Sequence, residues 1–313
     1  MMILVTGSAG HLGEALVRTL RAANRPCIGL DILASPFTDL VGSIADPAVV
    51  ERAMDGVDVV LHTATLHKPH VATHSRQAFI DTNITGTLNL LEASARVRAF
   101  VFTSTTSTFG DALAPPLDQP AAWITEAVVP APKNIYGVTK VAAEDLCALA
   151  HRNQHLACIV LRTSRFFPEA DDNADARECY ADANLKVTEY LYRRVDVEDV
   201  VAAHFVAIDR APAIGFGRYI ITATTQFVRG DAAELRRDPA AVVSRYVPGW
   251  RDAYHALGWK LLPSFDRVYD NTLARSELGW QPRHDFASVL ESARSGDIRS
   301  PLARAIGAKG YHG

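Results

Sequence analysis

A chain of 313 residues, 48% hydrophobic and 21% charged, has the makeup of a folded globular protein with one large domain and an appendage, or two domains. Its net charge of -3 and lack of any Lys/Arg run give no electrostatic basis for binding nucleic acid or an anionic membrane. No window approaches the ~18 apolar residues of a membrane span, "MMILVTG" lacks the length and basic flank of a signal peptide, and Cys27, Cys147, Cys158 and Cys179 show no C-x-x-C or metal-finger spacing, so a cytoplasmic, reducing setting is expected.

Along the chain, "ILVTG", "PCIGLD", "LVGSI", "DVVLHTAT", "AFVFTST" and "ACIVLRTS" are short β-branched runs separated by helix-period stretches. Most lack in/out alternation, as strands covered by helices on both faces should. Asp46-Pro47 supplies an N-cap and a proline for the first helical position. The rhythm breaks at "FFPEADDNADARECYADANLK", a long loop or helical insertion, and returns with "VDVEDVVAAHFVAI" as a helix and "GRYIITA" as a strand. The remaining tail carries Trp250, Trp259 and Trp280, which must pack on something. The expected fold is α/β: a Rossmann-like doubly wound parallel sheet (1–165 plus 193–222) with a smaller C-terminal α+β substrate domain (166–192 plus 223–313).

"VTGSAGHLGEALVRTL" follows the first strand and opens a helix, with glycines at Gly7, Gly10 and Gly13 around His11 and Leu12. Glycines there allow a tight turn, so that unpaired N–H groups of the helix N-terminus can face a pyrophosphate. Asp31 closes the second strand, where a carboxylate accepts from both adenosine ribose hydroxyls and repels a 2'-phosphate. NAD is therefore expected rather than NADP.

Tyr136 and Lys140 are four apart in a helical stretch and share one face. A phenol is a poor base near pH 7, but an ammonium about 4 Å away would stabilise its phenolate by roughly 1 to 4 kcal/mol, a fall of about one to three pKa units. Upstream, "FVFTSTTSTFG" sets Thr103, Thr105 and Thr106 at a strand end, where hydroxyls line the ligand crevice of an open parallel sheet.

With "TGSAGHLG", "HTAT", "NITGTLNLLEA", "FTSTTSTFG", "YGVTKVAAED", "VDVEDVVAAH" and "ARSELGWQP", the chain resembles the extended short-chain dehydrogenases/reductases, the group of NAD-dependent sugar-nucleotide epimerases and dehydratases. The resemblance implies Tyr136 as catalytic base, Thr105 as its hydroxyl partner, Lys140 also on the nicotinamide ribose and Asn83 supporting the site. It places His62 to Thr65, including Ala64, along the pyrophosphate, and a homodimer joined through the helices containing Asn83 to Val97 and Tyr136 to Asn153. Ser43, Ile44 and Thr103 complete the expected coenzyme-binding set. Leu88, Leu91, Val138 and Val141 suit such a contact and equally suit ordinary packing on the sheet.

Thr106 and Ser107 stand where dehydratases carry an Asp-Glu pair, which argues against dehydration. Around a substrate, His67, Thr106, Arg165, Arg193 and Arg194 are the candidate contacts, although Arg165 or Ser164 stands where epimerases show an asparagine and Tyr192 where they show an arginine. His70 and His74 are four apart with no third ligand in view, so no metal is expected. The first reading is an NAD-dependent epimerase of a sugar nucleotide, UDP-glucose 4-epimerase-like, working through a transient ketone. The alternatives are an NAD-dependent dehydrogenase of a free sugar, sugar acid or other small hydroxy compound, and a non-catalytic NAD sensor.

Overall fold

The computed structural model describes residues 1–171 and 173–310. Nine strands occur in it: β1 (Ile3–Thr6), β2 (Cys27–Asp31), β3 (Leu40–Val41), β4 (Val59–His62), β5 (Ala99–Thr105), β6 (Ala122–Ile124), β7 (Cys158–Thr163), β8 (Phe216–Ile221) and β9 (Arg267–Tyr269). Seven form one sheet in the order β3-β2-β1-β4-β5-β7-β8, parallel throughout. The order reverses between β1 and β4, so a crevice opens beyond their C-terminal ends.

The helices of this half are α1 (His11–Ala22), α2 (Pro47–Ala53), α3 (Arg76–Ile80), α4 (Gly86–Glu92) and α5 (Ile135–Gln154), followed by α6 (Ala174–Cys179), α7 (Asp182–Glu189) and α8 (Val197–Ile214). Alternate strand residues feed two apolar layers. Ile3, Val5, Leu61, Val101 and Ile159 pack against Leu16 and Leu20 of α1 and Val200 and Ile208 of α8. Leu4, Val60, Phe100 and Val160 pack on the other face with Leu90 of α4 and Ala143 and Cys147 of α5. Both faces are therefore dry, which is why the strand sequences do not alternate. Each such side chain contributes about 1.5–3 kcal/mol of burial. Local signals hold too: Asp46 Oδ1 accepts from Ala48 N at 2.9 Å with Pro47 beginning α2, and Asn134 Oδ1 caps α5 through Gly137 N at 3.1 Å.

A second core gathers Val187, Leu191, Tyr192, Phe227, Leu235, Trp250, Tyr254, Phe265 and Phe286. β6 and β9 pair in parallel beside it, Trp123 opposite Val268. The sequence reading missed both strands, since three residues each are too few to show a period. The "FFPEADD" insertion is helical from Ala174, as α6 and α7. Ala274, Leu278, Trp280 and Leu302 of the C-terminal stretch pack with α1 and α8, where Trp280 Nε1 donates to Asp199 O and Ser300 Oγ to Asp196 Oδ1. Among the described residues, no helix is long and apolar enough to cross a membrane.

Candidate active site

The crevice continues into a cavity of about 650 Å³ lined by residues of both halves. At one end stands the glycine turn. Gly7 has φ +74°, and a Cβ there would lie 2.7 Å from Ala64 N; one on Gly13 would lie 1.9 Å from Gly7 O. These contacts seat α1 directly on β1. Gly10, as N-cap, has no side chain to occupy the first-turn N–H groups. Asp31 Oδ2 accepts from Ala9 N and Oδ1 from Leu33 N, both at 2.9 Å, which fixes the carboxylate at the cavity edge. The donor turn, the carboxylate and the buried Ser164 Oγ, which lines the cavity without a partner among the described residues, fit a dinucleotide.

Gly7, Gly10, His11, Leu12, Gly13, Asp31, Ser43, Ile44, Ala64, Thr65 and Thr103 all line this cavity, as do Thr105, Thr106, Tyr136, His67, Arg165 and Arg193. His62, Asn83, Lys140 and Arg194 do not. His62 ends β4 facing the α4 side, 2.8 Å from Thr6 Oγ1 and 2.9 Å from Thr87 Oγ1, and burial holds its pKa well below the usual histidine value. Asn83 acts from behind. It lies in a π-helical turn, Asp81–Thr85, that interrupts α3 and α4. Its Oδ1 accepts from Leu66 N (2.8 Å) and Thr65 Oγ1 (3.0 Å), while Nδ2 donates to Leu66 O and Thr139 Oγ1. The asparagine thus ties the 65–66 loop to α5 rather than touching a ligand.

Tyr136, Lys140 and Glu144 lie on successive turns of the α5 face turned to β5 and β7. Tyr136 and Thr105 both line the cavity, and the Thr105 hydroxyl favours the ionised phenol. Lys140 Nζ donates to Thr103 O at 2.6 Å and sits 3.9 Å over the Phe102 ring. Burial pushes the Tyr136 phenol up to about 12, against the Thr105 hydroxyl that lowers it, and pulls Lys140 down to about 7, against the pull of Glu144. The expected lowering of Tyr136 by its neighbouring ammonium is therefore absent. Both groups are desolvated, and the ammonium is committed to a backbone carbonyl instead of the phenol. Lys140 fixes the end of the strand that carries Thr105. His204 of α8 does the same, its Nε2 standing 2.8 Å from Thr103 Oγ1; nothing in the sequence marked it. Below Lys140, Glu144 is buried with Ser104 Oγ (2.6 Å) and Arg162 Nη2 (2.7 Å).

On the far wall Arg165 Nη1 lies 2.7 Å from Asp171 Oδ2, Arg193 Nη2 2.7 Å from Glu189 Oε1, and Arg194 Nη1 2.8 Å from Glu189 Oε2. Arg194 also donates to Phe167 O and lines a second cavity of about 460 Å³. Glu189 stands four and five residues before Arg193 and Arg194, a spacing that could have revealed the pair; Asp171 offers no such signal. His67 N donates to His70 Nδ1 (3.0 Å), and the His67 ring stacks on Phe167. Among the described residues, the group whose donors could converge on a metal is Asp196, Glu198 and His284. There Asp196 caps α8 through Glu198 N and receives Ser300, so its oxygen is already employed.

A doubly wound parallel sheet with a glycine turn, an acidic second-strand end and a Tyr-x-x-x-Lys helix defines the extended short-chain dehydrogenase/reductase class. Residues 3–219 match the NAD dependent epimerase/dehydratase family model, and the chain belongs to that family. A UDP-glucose 4-epimerase of Rhizobium meliloti (strain 1021) is 28% identical over 93% of this chain and 95% of its own. One from Lactobacillus helveticus is 24% identical over 91% and 93%. A short-chain dehydrogenase/reductase superfamily protein from Agrobacterium tumefaciens, solved with bound NAD, superposes with a TM-score of 0.69 at 23% identity, over 97% of this chain and 99% of the other. The coenzyme of this chain is NAD.

Proposed function

We propose that the protein is an epimerase acting on a sugar nucleotide, with Tyr136 as the acid-base group for a secondary hydroxyl that Thr105 holds. The observation that carries this reading is that Tyr136 and Thr105 line the same cavity as the glycine turn. Two relatives that cover more than nine tenths of the chain, both UDP-glucose 4-epimerases, support it. When bound, NAD accepts the hydride of a secondary alcohol and, in an epimerase, gives it back.

The chain's own residues do the rest. Asp31 and the turn Gly7–Gly13 hold the dinucleotide, Tyr136 receives the hydroxyl proton, and Thr105 orients the oxygen. Lys140, through Thr103 O, keeps that strand end in place. Thr106 and His67 stand where the sugar would lie, with Arg165 and Arg193 beyond them for its anionic part. Tyr136 must lose its proton more readily than its value of about 12 allows, so the added positive charge of an oxidised nicotinamide is part of the requirement. On the same reading the protein is a cytoplasmic homodimer. Ile80, Leu88, Val138 and Leu149 are exposed along α3, α4 and α5, whereas Leu91 is 2% exposed and belongs to the core.

A second reading, a dehydrogenase of a free sugar or sugar acid, is favoured by one observation: Asp171 and Glu189 already match the arginines that a diphosphate would need. Incubating the protein with UDP-sugars and following the stereoisomers by chromatography, while recording reduced-coenzyme absorbance, separates the two. Interconversion without net NADH supports the epimerase; accumulating NADH assigns the dehydrogenase. Tyr136→Phe is expected to cut turnover by about 10²- to 10⁴-fold, and full turnover would remove Tyr136 from the role.

A further inference from the structure

Residues 307–310 leave the helix Pro301–Ile306 through Gly307, whose φ of 65° turns the chain, and bring Lys309 to the wall of the coenzyme cavity beside Gly10, His11 and Gly13. Two carboxylates receive it there. The Lys309 backbone N–H donates to Glu169 Oε1 at 3.0 Å, and its ammonium pairs with Glu14. Both acids are tied to the glycine turn: Glu14 lies in the first turn of α1, and Glu169 Oε1 is 3.0 Å from His11 Nε2. Their side chains are only 6% and 8% exposed.

This placement creates an electrostatic conflict. A helix N-terminus attracts an anion, but two nearly buried carboxylates beside it repel one, and low local polarity strengthens that repulsion. Arg18 meets the other oxygen of Glu14 at 2.6 Å but lies 4.4 Å over the Phe37 ring and does not line the cavity. Lys309, which lines the cavity, reaches Glu14 with its ammonium and Glu169 with its backbone N–H.

We propose that Lys309 is a coenzyme-binding residue: its ammonium, held at the cavity wall by Glu14, presents positive charge to the pyrophosphate of NAD, making residues 307–310 a strap at the coenzyme site. Glu169 serves as its backbone anchor. The strap and the coenzyme therefore stabilise each other.

Calorimetric titration of the full chain with NAD, and separately with adenosine, tests this. Lys309→Met should weaken NAD binding by about ten- to a hundredfold, the size expected for a hydrogen bond to a charged group, and leave adenosine binding within about twofold. Lys309→Arg should recover most of the loss. Added salt should weaken NAD binding more in the wild type than in Lys309→Met. Thermal melts without ligand check that each variant is folded. Equal NAD affinity in wild type and Lys309→Met, or parallel losses for NAD and adenosine, would overturn the proposal; a wild type that binds NAD but turns over no sugar nucleotide would leave it standing and instead count against the epimerase reading.

Discussion

The two ends of the cavity are built on different principles. The glycine-turn end is made of backbone: Gly7 and Gly13 let α1 rest on β1, and Asp31 is fixed by two main-chain N–H groups. The arginine end is made of charge, with Glu189 at its centre among Arg165, Arg193 and Arg194. The glycine turn itself is limited by volume rather than by charge. A charge-built site should behave the opposite way.

The largest test of that contrast is Glu189→Gln. Glu189 is buried and three guanidinium groups surround it, so its loss leaves uncompensated buried charge worth about 3–5 kcal/mol. Urea unfolding should show a loss of this size while NAD affinity in the folded protein stays near that of the wild type; unchanged stability would break the comparison. Gly13→Ala is the converse. Its methyl meets Gly7 O, so overpacking of about 1–3 kcal/mol is expected together with NAD binding at least ~10-fold weaker. Normal coenzyme affinity in that variant would mean that the turn is not built on close contact.

A third test lies between the two ends. Burial sets Lys140 at about 7 in the folded chain against an ordinary 10.5. The unfolded chain then binds more protons than the folded one between these values, and stability should rise with pH across that window by up to about 1.4 kcal/mol per unit. Wild type should therefore gain on Lys140→Met in urea midpoint from pH 7 toward 10, and parallel profiles would remove the burial penalty assigned to Lys140. The smallest effect belongs to Asp171→Asn. Releasing Arg165 from its 2.7 Å partner should tighten binding of UDP, as an anionic probe, by a few-fold, since a partly exposed pair contributes about 1 kcal/mol or less. Unchanged or weaker UDP binding would mean that Asp171 does not compete for these arginines.

The same contrast explains what could be read from the sequence. The six strand runs, the Asp46-Pro47 start and the glycine turn declare themselves because local backbone geometry dictates local residue type. Tyr136 and Lys140 were visible as a face of one helix, yet the partner of Lys140 was not, since Thr103 O is a main-chain atom far along the chain. Burial, which the sequence does not show either, reversed the expected direction of the Tyr136 shift. His62 faces away from the cavity by one step of strand alternation, and Asn83 holds the 65–66 loop from a helical irregularity that residue identity does not encode. Asp171, Glu169 and Lys309 meet their partners only through tertiary packing.

The parallel pairing of Ala122–Ile124 with Arg267–Tyr269 has a consequence for how the molecule is made. Residues leading into Tyr136 are joined to a stretch that a ribosome delivers more than a hundred residues later. Parallel, long-range pairing of this sort is slow to form. A nascent chain can therefore fold β1 to β5 and pack α5 on them early, but the segment Ala122–Ile124 that precedes α5 has no strand partner until synthesis has passed residue 269.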